Sequence, residues 1–178
     1  MTGLTRATAL RRAGRFVALA LVFLMGTGAG NTWAAESALL HKPAPQFVRR
    51  DFGGKTISLR SYRGRVVLLN FWATWCAPCL QELPRFAAWQ REYGEDGLQV
   101  IAVSMDDDEA AARALARKMG LDFVVMMGDA GLGKRYGGVL GLPVTFLIDR
   151  DGTVAERFES GGHLAQMEEQ IKELLAAR

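Results

Sequence analysis

The chain has 178 residues, 49% of them hydrophobic, with 22 Lys+Arg against 19 Asp+Glu. That length suits one ordinary domain plus a disposable segment, and so apolar a composition with few prolines excludes global disorder. Four of the basic residues, Arg6, Arg11, Arg12 and Arg15, precede the first acid, Glu36; without them the balance is 18 against 19, so the formal +3 is not a nucleic-acid patch.

In chain order, the basic start leads into ten apolar residues, Phe16 to Met25, and then into Gly26-Thr27-Gly28-Ala29-Gly30. Thr32 and Ala34 stand three and one before a cut between Ala34 and Ala35. This order predicts a secretory signal peptide over 1–34, or an N-terminal anchor if the cut is not made. The apolar run is short against the roughly 18 to 20 residues of a membrane span. Arg11-Arg12 hints at twin-arginine export, but Gly14 stands where that signal wants a large apolar side chain.

One domain is expected over 35–178. Pro43 and Pro45 break any helix in the lead-in. Gln46-Phe47-Val48 and Thr56-Ile57-Ser58-Leu59 flank Asp51-Phe52-Gly53-Gly54, which predicts a β-hairpin. Val66 to Trp72 is nearly all apolar and reads as a buried central strand. A helix is expected from Cys76 to Tyr93, with Leu80, Leu83, Ala87 and Gln90 at helical spacing and a bend at Pro84. Leu98 to Ser104 is the next strand. Asp106 to Glu109 places acid at the start of a helix that stops at Gly120, a capping and dipole role. Val124 to Met127 reads as strand, its methionines as core, and Leu132 to Tyr136 as a helical turn. Val144–Ile148 and Val154–Phe158 are strands joined by Asp149-Arg150-Asp151-Gly152. A last helix presents Leu164, Met167, Ile171, Leu174 and Leu175 on one face. The alternation predicts an α/β fold, a mixed central sheet flanked by helices with an N-terminal β-hairpin extension.

The two cysteines are Cys76 and Cys79, in Cys76-Ala77-Pro78-Cys79. A bridge over so short a loop adds little stability by chain entropy, so the pair calls for a chemical rationale. Behind a buried strand and at a helix N-terminus, free N–H groups and the helix dipole stabilise a thiolate. Cys76 at that end is the expected attacking sulfur, and Cys79, one turn in, the resolving one. Zinc wants four ligands, and the chain adds only His41 and His163. His163, near the start of the last helix, reads as a surface residue. Trp72 reads as core and Trp75 as part of a docking surface.

Phe71-Trp72-Ala73-Thr74-Trp75-Cys76-Ala77-Pro78-Cys79 resembles the active-site segment of thioredoxin-like proteins. Leu80-Gln81-Glu82-Leu83-Pro84 resembles the TlpA/ResA branch, and Gly141-Leu142-Pro143-Val144-Thr145-Phe146-Leu147-Ile148-Asp149 its cis-proline loop and following strand. The likeness spans roughly 43–176. It implies a cis Leu142–Pro143 bond, a loop held against the dithiol that keeps metal from the sulfurs, and neighbouring backbone, Leu142 included, that pairs with an extended substrate peptide. It also implies that Glu82 relays the proton Cys79 must lose. Asn70 stands where ordinary thioredoxins place a buried aspartate, which suits this branch.

The function so implied is an exported, periplasmic thiol–disulfide oxidoreductase without a cofactor that reduces protein disulfides. A membrane electron donor of the DsbD/CcdA kind would resupply it. The branch's clients are apocytochrome c or copper-site cysteines, although Val144 replaces the glutamate usual after the cis-proline in cytochrome maturation. Three alternatives stay open. A thiol oxidase or isomerase would use the same residues at a less negative potential, and a Cu(I) carrier would use both thiolates. In a peroxiredoxin the reactive cysteine usually follows threonine by three residues, whereas Thr74 precedes Cys76 by two.

Overall fold

The computed structural model describes residues 39–177, so the expected export segment over 1–34 lies outside the described residues. The lead-in reaches the sheet through an isolated antiparallel bridge between Pro43 and Thr153. The hairpin follows, β1 (Val48–Arg50) against β2 (Thr56–Ser58), with Arg49 opposite Ile57. A short 3-10 turn, Leu59–Tyr62, leads into the main sheet.

The sheet is built from β3 (Val66–Trp72), β4 (Leu98–Ser104), β5 (Val124–Met127), β6 (Val144–Ile148) and β7 (Val154–Glu159), in the order β5-β4-β3-β6-β7. β4 is parallel to β3 and to β5, whereas β6 and β7 run antiparallel. The parallel neighbours need crossovers, which α1 (Ala77–Tyr93) and α2 (Glu109–Lys118) supply. α3 (Ala130–Arg135) precedes β6, and α4 (Leu164–Ala176) ends the fold. All seven residues of β3 are buried, as expected of a central strand covered on both faces. Between β6 and β7 the turn closes through Gly152 N–H to Asp149 O at 2.9 Å. Gly152 has φ +72°, a region glycine enters without steric cost.

Side chains of β3 alternate between two cores. Val66, Leu68 and Trp72 pack with Leu83, Phe86 and Trp89 of α1 and Met167 and Ile171 of α4. Val67, Leu69 and Phe71 pack with Phe47, Ile57, Leu132, Tyr136 and Phe146. Each of these large side chains, once fully buried, contributes about 1.5–3 kcal/mol.

Two sequence expectations are corrected in detail. The inward face of α1 holds Leu83 and Ala87 as expected, together with Cys79, Glu82, Phe86, Trp89 and Tyr93, while Leu80 and Gln90 lie at its half-buried flanks. Gln90 is held there by polar contacts, accepting from Val100 N at 2.7 Å and donating to Leu98 O. The acidic run does not act as one cap either. Asp108 alone caps α2, its carboxylate accepting from Ala110 N and Ala111 N, while Asp106 turns toward the segment ahead of Cys76.

Candidate active site

β3 ends at Trp72, whose carbonyl accepts from Met105 N at 2.8 Å. The chain then makes a tight turn, closed by Cys76 N–H to Ala73 O at 3.1 Å, and α1 begins at Ala77. Cys76 is the N-cap of α1, and its Sγ accepts from Cys79 N–H at 3.3 Å. Pro78 occupies the first turn, where the helix has no use for its missing N–H. Cys76 and Cys79 are joined as a disulfide, with Cα atoms 5.3 Å apart. Cys76 is 4% exposed and Cys79 1%, so both are buried, Cys76 slightly less so. Once the bond is reduced, the free N–H groups of the first turn face Cys76 and favour its thiolate.

The proline loop reaches the same end of the sheet. Phe71 is paired with Val144, and the register carried one step further sets Pro143 level with Trp72. The Leu142–Pro143 bond is cis, and Leu142 packs against both cores. Trp72 is fully buried, whereas Trp75 is 71% exposed at the apex of the Ala73–Cys76 turn.

Glu82 sits one turn beyond Cys79 on the buried face of α1 and is itself 2% exposed. A helix glutamate so placed is not a solvated surface residue. One carboxylate oxygen accepts from Gly162 N–H at 3.3 Å; the other is buried with no hydrogen-bond partner. Burial pushes the Glu82 carboxyl above its ordinary range, against a smaller downward pull from the Gly162 N–H and from His163. The Ser160-Gly161-Gly162 loop is close-fitting here, since a Cβ on Gly161 would meet Pro78 Cβ at 3.1 Å and Glu82 Oε1 at 3.4 Å. Asn70 lies on the same side of β3, donating from Nδ2 to Thr145 Oγ1 at 2.9 Å. His163 is exposed at the N-cap of α4, its ring centroid 6.0 Å from that of Phe158.

The structure thus gathers Cys76, Cys79, Glu82, Trp75, Leu142 and Pro143 around one end of the sheet. Sequence reasoning missed two contributors. Asp106 binds Thr74 through both its N–H and its hydroxyl, and Gly162 donates to Glu82. A signal for the second lay in Ser160-Gly161-Gly162, a small-residue run before a helix; nothing in the acidic run singled out Asp106. Among the described residues no three His, Cys, Asp or Glu side chains come together to hold a metal, and no helix is long and apolar enough to cross a membrane. A separate cavity of about 240 Å³, between Phe52, Arg113, Leu121 and Phe123, contains no residue of the dithiol segment.

Comparison with known proteins agrees with this geometry. The family model for the AhpC/TSA family matches residues 40–157. The thiol-disulfide oxidoreductase ResA of Bacillus thuringiensis subsp. konkukian is 36% identical over 139 residues, covering 78% of this chain and 80% of that protein. A thioredoxin-like protein of Bacillus subtilis, YneN, is 38% identical over 116 residues, covering 64% and 67%. Among solved structures, a thiol:disulfide interchange protein of the thioredoxin family from Chlorobium tepidum superposes with a TM-score of 0.70 at 27% identity, over 75% of this chain and 96% of that one. The chain belongs to the AhpC/TSA family, and within the thioredoxin fold it is a ResA-like thiol–disulfide oxidoreductase.

Proposed function

We propose that this oxidoreductase is exported and works as a reductant of protein disulfides outside the cytoplasm, with residues 1–34 as its signal peptide or anchor and 35–178 as the working domain. The observation that carries the disulfide-exchange step is the asymmetry of the dithiol; export and the reducing direction rest on the TlpA/ResA resemblance and the basic, apolar start of the chain. Cys76 caps the N-terminus of α1, and Cys79 lies one turn in on the same buried helix face as Glu82.

The reaction then runs in two steps. The Cys76 thiolate attacks one sulfur of a substrate disulfide, forming a mixed disulfide and releasing the other sulfur as thiolate. Cys79 loses its proton to the Glu82 carboxylate and attacks Cys76 Sγ, which releases the second substrate thiol and leaves the enzyme disulfide. Two electrons pass to the substrate. Trp75 and the Leu142–Pro143 loop receive the substrate chain on either side of Cys76. The carboxyl of Glu82 suits the base role because burial makes it a stronger proton acceptor than a solvated glutamate. A reductant outside the cytoplasm must be recharged, which points to a membrane electron donor of the DsbD/CcdA kind. Cytochrome c maturation and copper-site assembly are the client processes that the TlpA/ResA resemblance implies, with Val144 in place of the usual glutamate weighing against the first.

The reduction potential of the Cys76–Cys79 couple, measured by equilibrating the purified protein in defined thiol buffers, tests the direction. A value at or below about −220 mV is expected of a reductant. A value of about −120 to −180 mV overturns it in favour of an oxidase or isomerase, and no reversible couple at all favours the Cu(I) carrier.

A further inference from the structure

Trp75 is among the few large apolar side chains left in solvent, and it is next to the sulfur proposed to attack. Its neighbour Thr74 explains how an unpacked tryptophan is held. β3 has ended at Trp72, so the Thr74 N–H has no strand to donate to. It donates instead to both oxygens of Asp106, at 3.1 and 3.0 Å, and the Thr74 hydroxyl donates to Asp106 Oδ1 at 2.6 Å. The carboxylate is held from behind by the end of β4, where the fully buried Ser104 donates its hydroxyl to Asp106 Oδ2 at 2.8 Å and accepts from Asp106 N–H at 3.2 Å. Charge-assisted bonds of this kind are the stronger sort. With Thr74 tied inward and the turn closed from Cys76 to Ala73, Trp75 is left to face outward.

We propose that Asp106 is a positioning residue for substrate capture. Through Thr74 it fixes the Ala73–Cys76 turn so that Trp75 stands beside Cys76 and packs on an apolar stretch flanking the disulfide of a protein substrate. The proposal rests on the disulfide-reductase reading above and adds to it what orients the aromatic platform. Asp106 touches no reacting atom; it acts through Thr74 and Trp75. An indole held in one orientation loses less freedom on binding than one on a loose turn, so the clamp bears on capture more than on the exchange step.

The test is reduction of insulin by the full chain with a recycling small thiol, comparing Asp106→Ala, Asp106→Asn and Thr74→Val. Asp106→Ala is expected to raise KM roughly five- to tenfold with kcat changed less than about twofold. Asp106→Asn keeps an oxygen for the Thr74 N–H and offers an amide to the hydroxyl oxygens, so it is expected to restore most of the wild-type KM. Trp75→Ala is expected to raise KM in the wild-type background and to add less than about twofold in the Asp106→Ala background. Thr74→Val, which removes only the hydroxyl bond, gives the same pattern at smaller amplitude and serves if Asp106→Ala does not fold. A fall in kcat at unchanged KM, or a Trp75 effect undiminished in the Asp106→Ala background, overturns the proposal. A Cys76–Cys79 potential in the range of an oxidase or isomerase overturns the reductase reading and this proposal with it; active wild type with KM unmoved in every Asp106 and Thr74 variant overturns this proposal alone.

Discussion

The two faces of β3 are equally buried and differ in how their polar groups are treated. On the side away from the dithiol, Phe71, Tyr136 and Phe146 form an aromatic layer with centroids 5.1 to 6.1 Å apart. Its buried hydroxyl is satisfied, with Tyr136 donating to Pro45 O at 2.8 Å. The exceptions are Arg157, which lies over the Phe146 ring, and Arg65 just ahead of β3, each with its Nε unpaired. On the dithiol side, Asn70 Oδ1, Trp72 Nε1, Glu82 Oε2 and Trp89 Nε1 are all buried without a hydrogen-bond partner. Each such group costs about 1–3 kcal/mol. Native cores keep such groups few, and Glu82 is the only carboxylate among them. The aromatic face is scaffold; the dithiol face carries Glu82, the one group of these four whose oxygen can take a proton.

The largest effect that tests this division falls on the scaffold face. Phe146→Ala opens a cavity among Phe71, Tyr136 and Arg157 and is expected to cost about 3–5 kcal/mol, read as a lowered urea midpoint. Disulfide reduction per folded molecule should stay near wild type. Specific activity falling in step with stability would break the comparison, because the two faces would then act as one unit.

Glu82→Gln probes the other face with a nearly isosteric change. The amide oxygen still accepts from Gly162 N–H, but the proton acceptor is gone, so release of product from the mixed disulfide is expected to slow roughly ten- to a hundredfold. Stability should move with a definite sign. Burial raises the Glu82 carboxyl in the folded state, so the native protein holds a proton that the unfolded chain has already released. Wild-type stability therefore falls as pH rises from the ordinary carboxyl range through the raised folded value. The oxidised Glu82→Gln protein lacks that fall, and its stability relative to wild type should increase across the same window. A relative stability that decreases with rising pH would show Glu82 to be a stabilising carboxylate and sink its role as the poised base.

These contrasts were only partly visible in the sequence. The strands of the main sheet could be read closely because continuous Val/Leu/Ile/Phe runs between glycines and prolines leave little freedom in assignment, as in Val66–Trp72 and Leu98–Ser104. The dithiol and its proline loop were legible because their motifs are local. Glu82 was half legible. Its spacing from Cys79 gave the side of the helix, but a glutamate in an amphipathic pattern reads as solvent-facing until the Ser160–Gly162 loop, 80 residues on, closes over it. Asp106 was misread because three aspartates in a row before a helix all look like caps. Which one turns back to Thr74 depends on the parallel pairing of β3 with β4, which places Trp72 opposite Ser104, and no local pattern encodes that register.

The smallest effect lies on the outer surface of the dithiol layer, where α1 and α4 are tied by an ionic network. Glu168 accepts from Arg85 at 2.6 Å and from the Tyr93 hydroxyl at 3.0 Å, and pairs with Lys172 at 3.1 Å. These partners, Arg85 foremost and then Lys172, lower its carboxyl to about 2. The sign is opposite to that of Glu82. With the folded value depressed, the network's contribution is complete above the ordinary carboxyl range and is lost as pH falls toward about 2. The Glu168 side chain is 19% exposed and its partners reach into solvent, so screening limits the gain. Glu168→Gln is expected to cost about 1 kcal/mol at neutral pH and to match wild type near pH 2. Because this carboxylate is satisfied from three sides, replacing it should leave the rate of disulfide exchange unchanged, and equal loss of exchange in Glu168→Gln and Glu82→Gln would mean that the helix pairing, rather than the buried base, sets that rate.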